Sequence, residues 1–524
     1  MPFDCEALQD GCRMQEVMDK GAGTQGYDPV RNVVIVGGGT AGWMAAAALS
    51  RFLGRDRTIT LVESDAIGIV GVGEATIPPI RTFNSMLDIA EEDFLRETRG
   101  TFKLGIEFVN WGRVGDRYMH PFGAYGQDFH GVPFHQMWLR YRALGGDAGL
   151  EDFSMCIAAA HRGKFGKARP GEPTPLQHIA WAYHFDAGLY ARFLRGIAEQ
   201  QGVVRREGRI VAFHRDGESG DVTSVEFEGG TRLAGDLFLD CSGFRGLLIE
   251  EALETGWEDW SHWLPMDSAL AVPTANTEAP APFTRSTAHA AGWQWRIPLQ
   301  HRTGNGHVFC SAHTDADQAE RTLRENVEGD LLADPRMIRF TTGMRRQAWN
   351  HNVVSLGLAS GFIEPLESTS IHLIQHGVLR LIGLFPDRKI NPTEREEYNR
   401  NLRSIFEFVR DFVILHYKAN QREDSVFWRQ MAAMSVPDTL QHRMDLWQAH
   451  GRVFPKEADM FNIPSWVAVM LGQNVTPDRY DPVADALVEK QLTAALADMR
   501  TRYAETAGRL PSHETYLQKV GAWA

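Results

Sequence analysis

The chain is poor in cysteine, and none of it sits at metal or redox spacing. Cys5, Cys12, Cys156, Cys241 and Cys310 are scattered and odd in number. That argues against a disulfide framework and a zinc ribbon, so no metal is expected and free thiols in a reducing cytoplasm fit best. Positive charge is also short. Against 67 Asp and Glu stand 54 Lys and Arg, a net charge of −13, which disfavours nucleic acid or an anionic membrane as partner. The N-terminus, MPFDCEALQDGCRMQEVMDKGAG, lacks the apolar core of a signal peptide and reads as a flexible leader over residues 1–28. Long apolar runs are nearly missing too. The nearest to a membrane span, NVVIVGGGTAGWMAAAALS from Asn32, is cut by three consecutive glycines into a β-branched strand and an alanine-rich helix.

What is present begins at that cut. Gly37, Gly39 and Gly42, with Thr40 and Ala41 between them, form G-x-G-x-x-G directly after a strand and at the start of a helix. Glu63 closes the next strand, TITLVES. Glycines there let the backbone approach a pyrophosphate at a helix N-terminus, and the acid accepts hydrogen bonds from a ribose. NAD and FAD both satisfy this fingerprint. AGDLFLDCSGFRGLL (234–248), with its Asp-x-x-x-Asp-x-x-Gly spacing, favours FAD held by two chain regions. No second fingerprint occurs, so reducing equivalents are expected from elsewhere. The fold expected is α/β: a discontinuous Rossmann-like FAD module with an inserted β-rich substrate part (29–390), then a helical C-terminal part (391–524).

Further segments carry polar groups in unusual settings. GVGEATIPPI (71–80) reads as a loop. TFKLGIEFVNW (101–111) alternates strictly, predicting one half-buried strand with Lys103 and Glu107 on its solvent face. GWQWRIPLQ (292–300) sets Trp293 and Trp295 on one strand face. In EPLESTS, Pro365 can open a helical turn, leaving Glu364 and Glu367 near a helix start that stabilises anions. Asn391 and Pro392 form an N-cap and N1 pair for a long helix. Read alone, Lys103 is a solvated charge and the indoles a core pair.

Taken together, GGGTAGWMAA, GVGEATIP, FKLGIEFVNW, YHFDA, DCSGFRGLL, GWQWRIP and FIEPLESTS resemble flavin-dependent halogenases of the tryptophan-halogenase type, in register from about residue 30 to the C-terminus. The W-x-W-x-I-P block is the most distinctive of these. The resemblance implies that FADH2 and O2 oxidise chloride or bromide to hypohalous acid, which passes through a tunnel to Lys103 beside an aromatic substrate. It implies Glu367 as the catalytic acid residue, and halide held by the backbone at Thr369 and Ser370. Ala75, Ile210, Leu358 and Ile371 become flavin contacts, and His120, Phe122 and Trp466 substrate-pocket residues. Trp293 and Trp295 become a barrier keeping organic substrate from the flavin. A separate flavin reductase is implied as partner, and a homodimer is left open.

Two departures stand out. Ser370 replaces the usual glycine, and residues 450–473 lack the tyrosine pair and acidic run that grip free tryptophan in its specialised halogenases. Pro464, Ser465 and Trp466 stand there instead, with Phe454, Phe461 and Ile463 nearby, so an indole-like or other electron-rich neutral ring is expected. A flavin aromatic hydroxylase and a non-catalytic FAD protein remain the alternatives.

Overall fold

The computed structural model describes residues 28–65, 73–169, 171, 174–455 and 460–524; the leader up to residue 27 lies outside them. The fingerprint strand Asn32–Val36 sits inside a six-stranded sheet, parallel to Thr58–Glu63 on one side and Leu237–Asp240 on the other. Its β-branched residues are buried, and the helix Thr40–Phe52 covers it with Trp43 and a run of alanines. Small side chains let that helix lie close to the sheet.

The strand Leu237–Asp240 is the buried strand expected after a hairpin, but its acids face the protein. Asp236 accepts the amides of Arg31 and Asn32 at 3.0 and 2.8 Å. Asp240, fully buried, accepts Ser242 Oγ at 2.6 Å and the amides of Ser242, Leu248 and Ile249 at 3.0, 2.7 and 2.8 Å. The acid spacing therefore shapes the DCSGFRG turn, and the turn itself meets the cofactor cavity.

Residues 101–111 do not form one half-buried strand. Thr101–Lys103 joins Gly73–Ala75 and Ala182–Asp186 in a three-stranded sheet, whereas Gly105–Val109 joins a seven-stranded one. The chain switches sheets at Leu104, so both faces are covered and every residue from Thr101 to Val109 is buried. Glu107 is buried with its charge met by Arg117 at 3.2 Å and Arg285 at 2.8 Å. Alternation signalled extended backbone correctly; the polar side chains met protein partners, arginines of the same sheet for Glu107 and Thr76 and Ser368 for Lys103, instead of water. The expected loop at 71–80 likewise contains the strand Gly73–Ala75, antiparallel to Ala182–Asp186.

The seven-stranded sheet takes strands from 105–121 and from 268–339, with Gly292–Pro298 and Thr303–Phe309 at its centre. Helices dominate from Ser370 onward. The longest, Pro392–Lys418, starts as expected with the Asn391 side chain accepting the Thr393 amide at 2.9 Å. Among the described residues no helix is long and apolar enough to cross a membrane.

Asp240→Ala would leave the buried Leu248 and Ile249 amides without acceptors. A stability loss of about 3 kcal/mol is expected by denaturant unfolding, and a loss under about 1 kcal/mol would show that the turn holds without it.

Candidate active site

A cavity of about 590 Å³ runs from the glycine turn to the central strands of the large sheet. Gly37, Gly39, Thr40, Ala41 and Glu63 line one end. Gly37 needs its φ of +112°, and a Cβ there would sit 2.3 Å from the Cys241 carbonyl oxygen. A Cβ on Gly39 meets nothing within 4 Å, because that position opens on the cavity. The helix behind it begins without a side-chain cap, so its first amides are free for an anion. Gly42 does not line the cavity; a Cβ there would meet the Gly37 oxygen at 1.9 Å, so its role is to let helix and turn touch. Gly38, which sequence reasoning passed over, lies under the Glu63 carboxylate: its Cβ would fall 1.5 Å from Glu63 Oε2. Glu63 is gripped by Arg205 and by the Trp43 indole at 3.3 Å. These features fit the pyrophosphate and ribose of FAD.

Ala75, Ile210, Leu358, Ser370 and Ile371 line the same cavity further in, as do Trp293 and Trp295. The two indoles lie 6.1 Å apart, centroid to centroid, and both are buried. Trp295 lies flat over Gly306, where any Cβ would strike its ring at 2.1 Å. Glu74 also faces this cavity, and burial, then Asp186, pushes its carboxyl up to about 8.

Lys103 stands at the far side. YHFDA explains its placement: Ala182 pairs with Lys103, while His184 pairs with both Thr101 and Ala75, so one middle strand carries both flanking motifs. The ammonium is fully buried and donates to the Thr76 carbonyl at 3.1 Å and Ser368 Oγ at 2.8 Å, with the Phe122 ring 5.0 Å away. Burial pushes it down to about 7, and Glu367 pulls it partly back. Glu367 is fully buried as well. Desolvation opposes its charge, but His120 Nδ1 at 2.9 Å from Oε2 and His416 Nε2 at 2.8 Å from Oε1 hold it down at about 2. His416 Nδ1 donates to the Phe412 carbonyl at 2.9 Å, which leaves Nε2 to face the carboxylate. His416 carried no motif and was missed.

The 3-10 turn Pro365–Glu367 ends at Ser368 with φ +58°, and Thr369 precedes the helix Ser370–Gly383. Thr369 is fully buried, its hydroxyl has no partner among the described residues, and it does not line the cavity, unlike Ser370. Beyond Glu367 an aromatic cluster begins. His120 meets Phe412 and Phe461 at 5.8 and 6.1 Å, Phe412 stacks on Phe461 at 3.9 Å, and Trp466 stands edge-on to Phe412 at 5.0 Å. Phe454, expected in this region, is 64% exposed and takes no part.

The residues 32–489 match the family model for tryptophan halogenases. The chain belongs to the tryptophan halogenase family. It is 36% identical to the tryptophan 6-halogenase SttH of Streptomyces toxytricini, over 93% of this chain and 98% of that one. Among solved structures it is similar to Xcc4156, a flavin-dependent halogenase from Xanthomonas campestris, at 50% identity and a TM-score of 0.91, covering 94% and 98% of the two chains. It is also similar to BrvH, a flavin-dependent halogenase from Brevundimonas sp. BAL3, at 47% identity and 0.90, covering 94% and 99%. The protein is thus a flavin-dependent halogenase that uses FADH2 and halide, and such enzymes act on aromatic substrates, in general with a separate flavin reductase.

In this halogenase the buried ammonium has a measurable signature. Its folded value near 7 lies below the ordinary 10.5, so between those values the unfolded chain binds more protons and stability rises with pH. Replacing the lysine removes that cost. Lys103→Met should therefore gain most, relative to wild type, at pH 7 and below, with the gain shrinking as pH climbs toward 10. Paired melting curves across that range check it; a difference flat in pH would contradict a desolvated ammonium.

Proposed function

We propose that this halogenase makes hypohalous acid in the cavity bounded by Trp293 and Trp295 and spends it on a neutral, electron-rich aromatic ring held beside Lys103. The observation that carries this reading is that two fully buried opposite charges, Lys103 and Glu367, come from remote segments to lie behind Ser368, which lines the dinucleotide-sized cavity and accepts from Lys103 at 2.8 Å. When bound, FADH2 supplies with O2 the oxidising power that converts halide to hypohalous acid. Backbone amides at Thr369 and Ser370 hold the halide, at a helix start that favours anions. The two indoles keep organic substrate out of that compartment.

The Thr76 carbonyl and Ser368 Oγ orient the Lys103 nitrogen. As an ammonium it holds hypohalous acid by hydrogen bond; as an amine it takes the halogen and releases water, and its value near 7 makes both forms accessible at neutral pH. The ring attacks the halogen, and Glu367, ionised at any working pH, stabilises the ring cation and accepts its proton. His120 and His416 keep the carboxylate charged and fixed. The ring itself rests among His120, Phe122, Phe461 and Trp466.

The side chains this segment sends toward His120 are aromatic. An amino-acid ammonium and carboxylate would need buried partners there, since unpaired charges cost several kcal/mol to desolvate. The reading therefore favours indole, or a larger indole- or phenol-containing compound, over free L-tryptophan.

With an added flavin reductase and bromide, Lys103→Ala should abolish ring halogenation while FAD binding and hypohalous acid formation persist. Glu367→Gln should lower turnover about 10²- to 10⁴-fold. Near-normal product from the lysine variant would overturn the assigned role, and product that does not depend on halide would favour a hydroxylase. In a competition between equal L-tryptophan and indole followed by mass, halogenated indole should dominate. Preferential consumption of tryptophan would show that its polar ends find partners elsewhere in the pocket.

A further inference from the structure

Glu364 is fully buried and takes no part in the chemistry above. It lies one 3-10 turn before Glu367, and its Oε1 accepts both the Tyr417 hydroxyl and, at 3.3 Å, the Trp293 indole N–H. Its Oε2 is buried without a partner among the described residues. A buried indole N–H needs an acceptor, and for Trp293 that acceptor is Glu364. The neighbouring Trp295 N–H is buried without one among the described residues, and its ring packs over Gly306 instead. The wall is thus asymmetric, with one indole tied by a hydrogen bond and the other by fit.

Tyr417 is itself fixed. Its ring stacks on Trp428 at 5.7 Å and 19°, and Trp111 stands edge-on to it at 5.5 Å while also meeting Trp293 at 6.4 Å. We propose that Glu364, held by Tyr417, is a positioning residue that locks the Trp293 indole against the cofactor cavity and so sets the share of oxidising equivalents that reaches halide. This rests on the functional reading above. One acceptor oxygen does the work, and a bare negative charge with an unpartnered oxygen would be costly among indoles. Burial raises the group to about 7, so the neutral acid is well populated at neutral pH and below, and its carbonyl oxygen accepts both donors in that form.

The two fates of the oxidant are easily separated. In the productive one, FADH2, O2, bromide and a proton give FAD, water and hypobromous acid. In the wasteful one, FADH2 and O2 give FAD and hydrogen peroxide. The coupling ratio is hypobromous acid captured by an added β-diketone per O2 consumed, with peroxide measured alongside; it needs neither Lys103 nor organic substrate. Glu364→Leu and Tyr417→Phe should each lower coupling about fivefold, the value of one lost buried hydrogen bond, with FAD affinity near wild type and, for Glu364→Leu, a melting temperature a few degrees lower because two buried donors lose their acceptor. Trp293→Phe should do the same, and combined with Glu364→Leu it should add little, because both remove one interaction. Glu364→Gln keeps the carbonyl acceptor and should retain coupling within about twofold. Wild-type coupling in Glu364→Leu overturns the proposal, as does a loss in Glu364→Gln as deep as in the leucine variant, which would mean the acid's proton matters. Absence of bromide-dependent hypobromous acid from the wild type would instead overturn the functional reading.

Discussion

Two opposite charges buried near each other, Lys103 and Glu367, organise this enzyme. Taking an ammonium and a carboxylate out of water costs several kcal/mol each, and their attraction compensates only where every remaining donor and acceptor is met. Around Lys103 and Glu367 the compensation comes from parts drawn from the whole chain: the Thr76 carbonyl and Ser368 hydroxyl on the nitrogen, the His120 hydrogen bond on one carboxylate oxygen, and the His416 ring 2.8 Å from the other. The split in their proton affinities follows. Desolvation dominates at the lysine, which carries fewer compensating charges, while two imidazoles outweigh it at the glutamate. The result is a nitrogen that can exist in either form near neutrality beside a base that stays ionised.

That pair would serve little if oxidant and substrate met earlier. On the proposed reading Trp293 and Trp295, both buried in the wall of the cofactor cavity, stand between the oxidant and the organic ring. Hypohalous acid is small and polar, so it can pass where an indole cannot. Ser368 touches both compartments: it lines the cofactor cavity and its hydroxyl holds Lys103. Its left-handed backbone turns the chain between Glu367 and the helix Ser370–Gly383, which lets one short motif serve both chambers.

Much of this was legible from residue patterns. The fingerprint strand, turn, helix and acid carry their own local logic, and so does the Asn391–Pro392 helix start. Lys103 is the instructive failure of pattern alone. Strict alternation in TFKLGIEFVNW says extended backbone, yet the same alternation describes one strand facing water and two short buried strands that belong to different sheets. Only the pairing of Thr101–Lys103 with Ala182–Asp186, and of Gly105–Val109 with Thr284–His289, decides it. The acids of DLFLDCSG act one step removed: they cap backbone amides and so shape the turn that meets the cofactor cavity. His416, Tyr417 and Gly38 gave no signal because their roles come from what the fold brings to them.

The helix Pro392–Lys418 shows why a division of the chain near residue 391 is a poor guide to function. Along one stripe it presents Phe408 and Phe412 to the aromatic cluster, then His416 to Glu367. One residue further, Tyr417 reaches Glu364 behind the indole wall. Helical spacing of four places the first three on one side, and the next residue, turned by about 100°, looks toward the other compartment. A single rigid element thus touches the substrate ring's surroundings, the base and the barrier. Changes that reshape the aromatic cluster for a new substrate must therefore keep the axial position of this helix, because a slip of one turn would part both glutamates from their partners. Phe461 and Trp466 lie apart from it, at the approach to and on the helix Ile463–Gly472, while the stripe of Phe408, Phe412 and His416 lies on the long one.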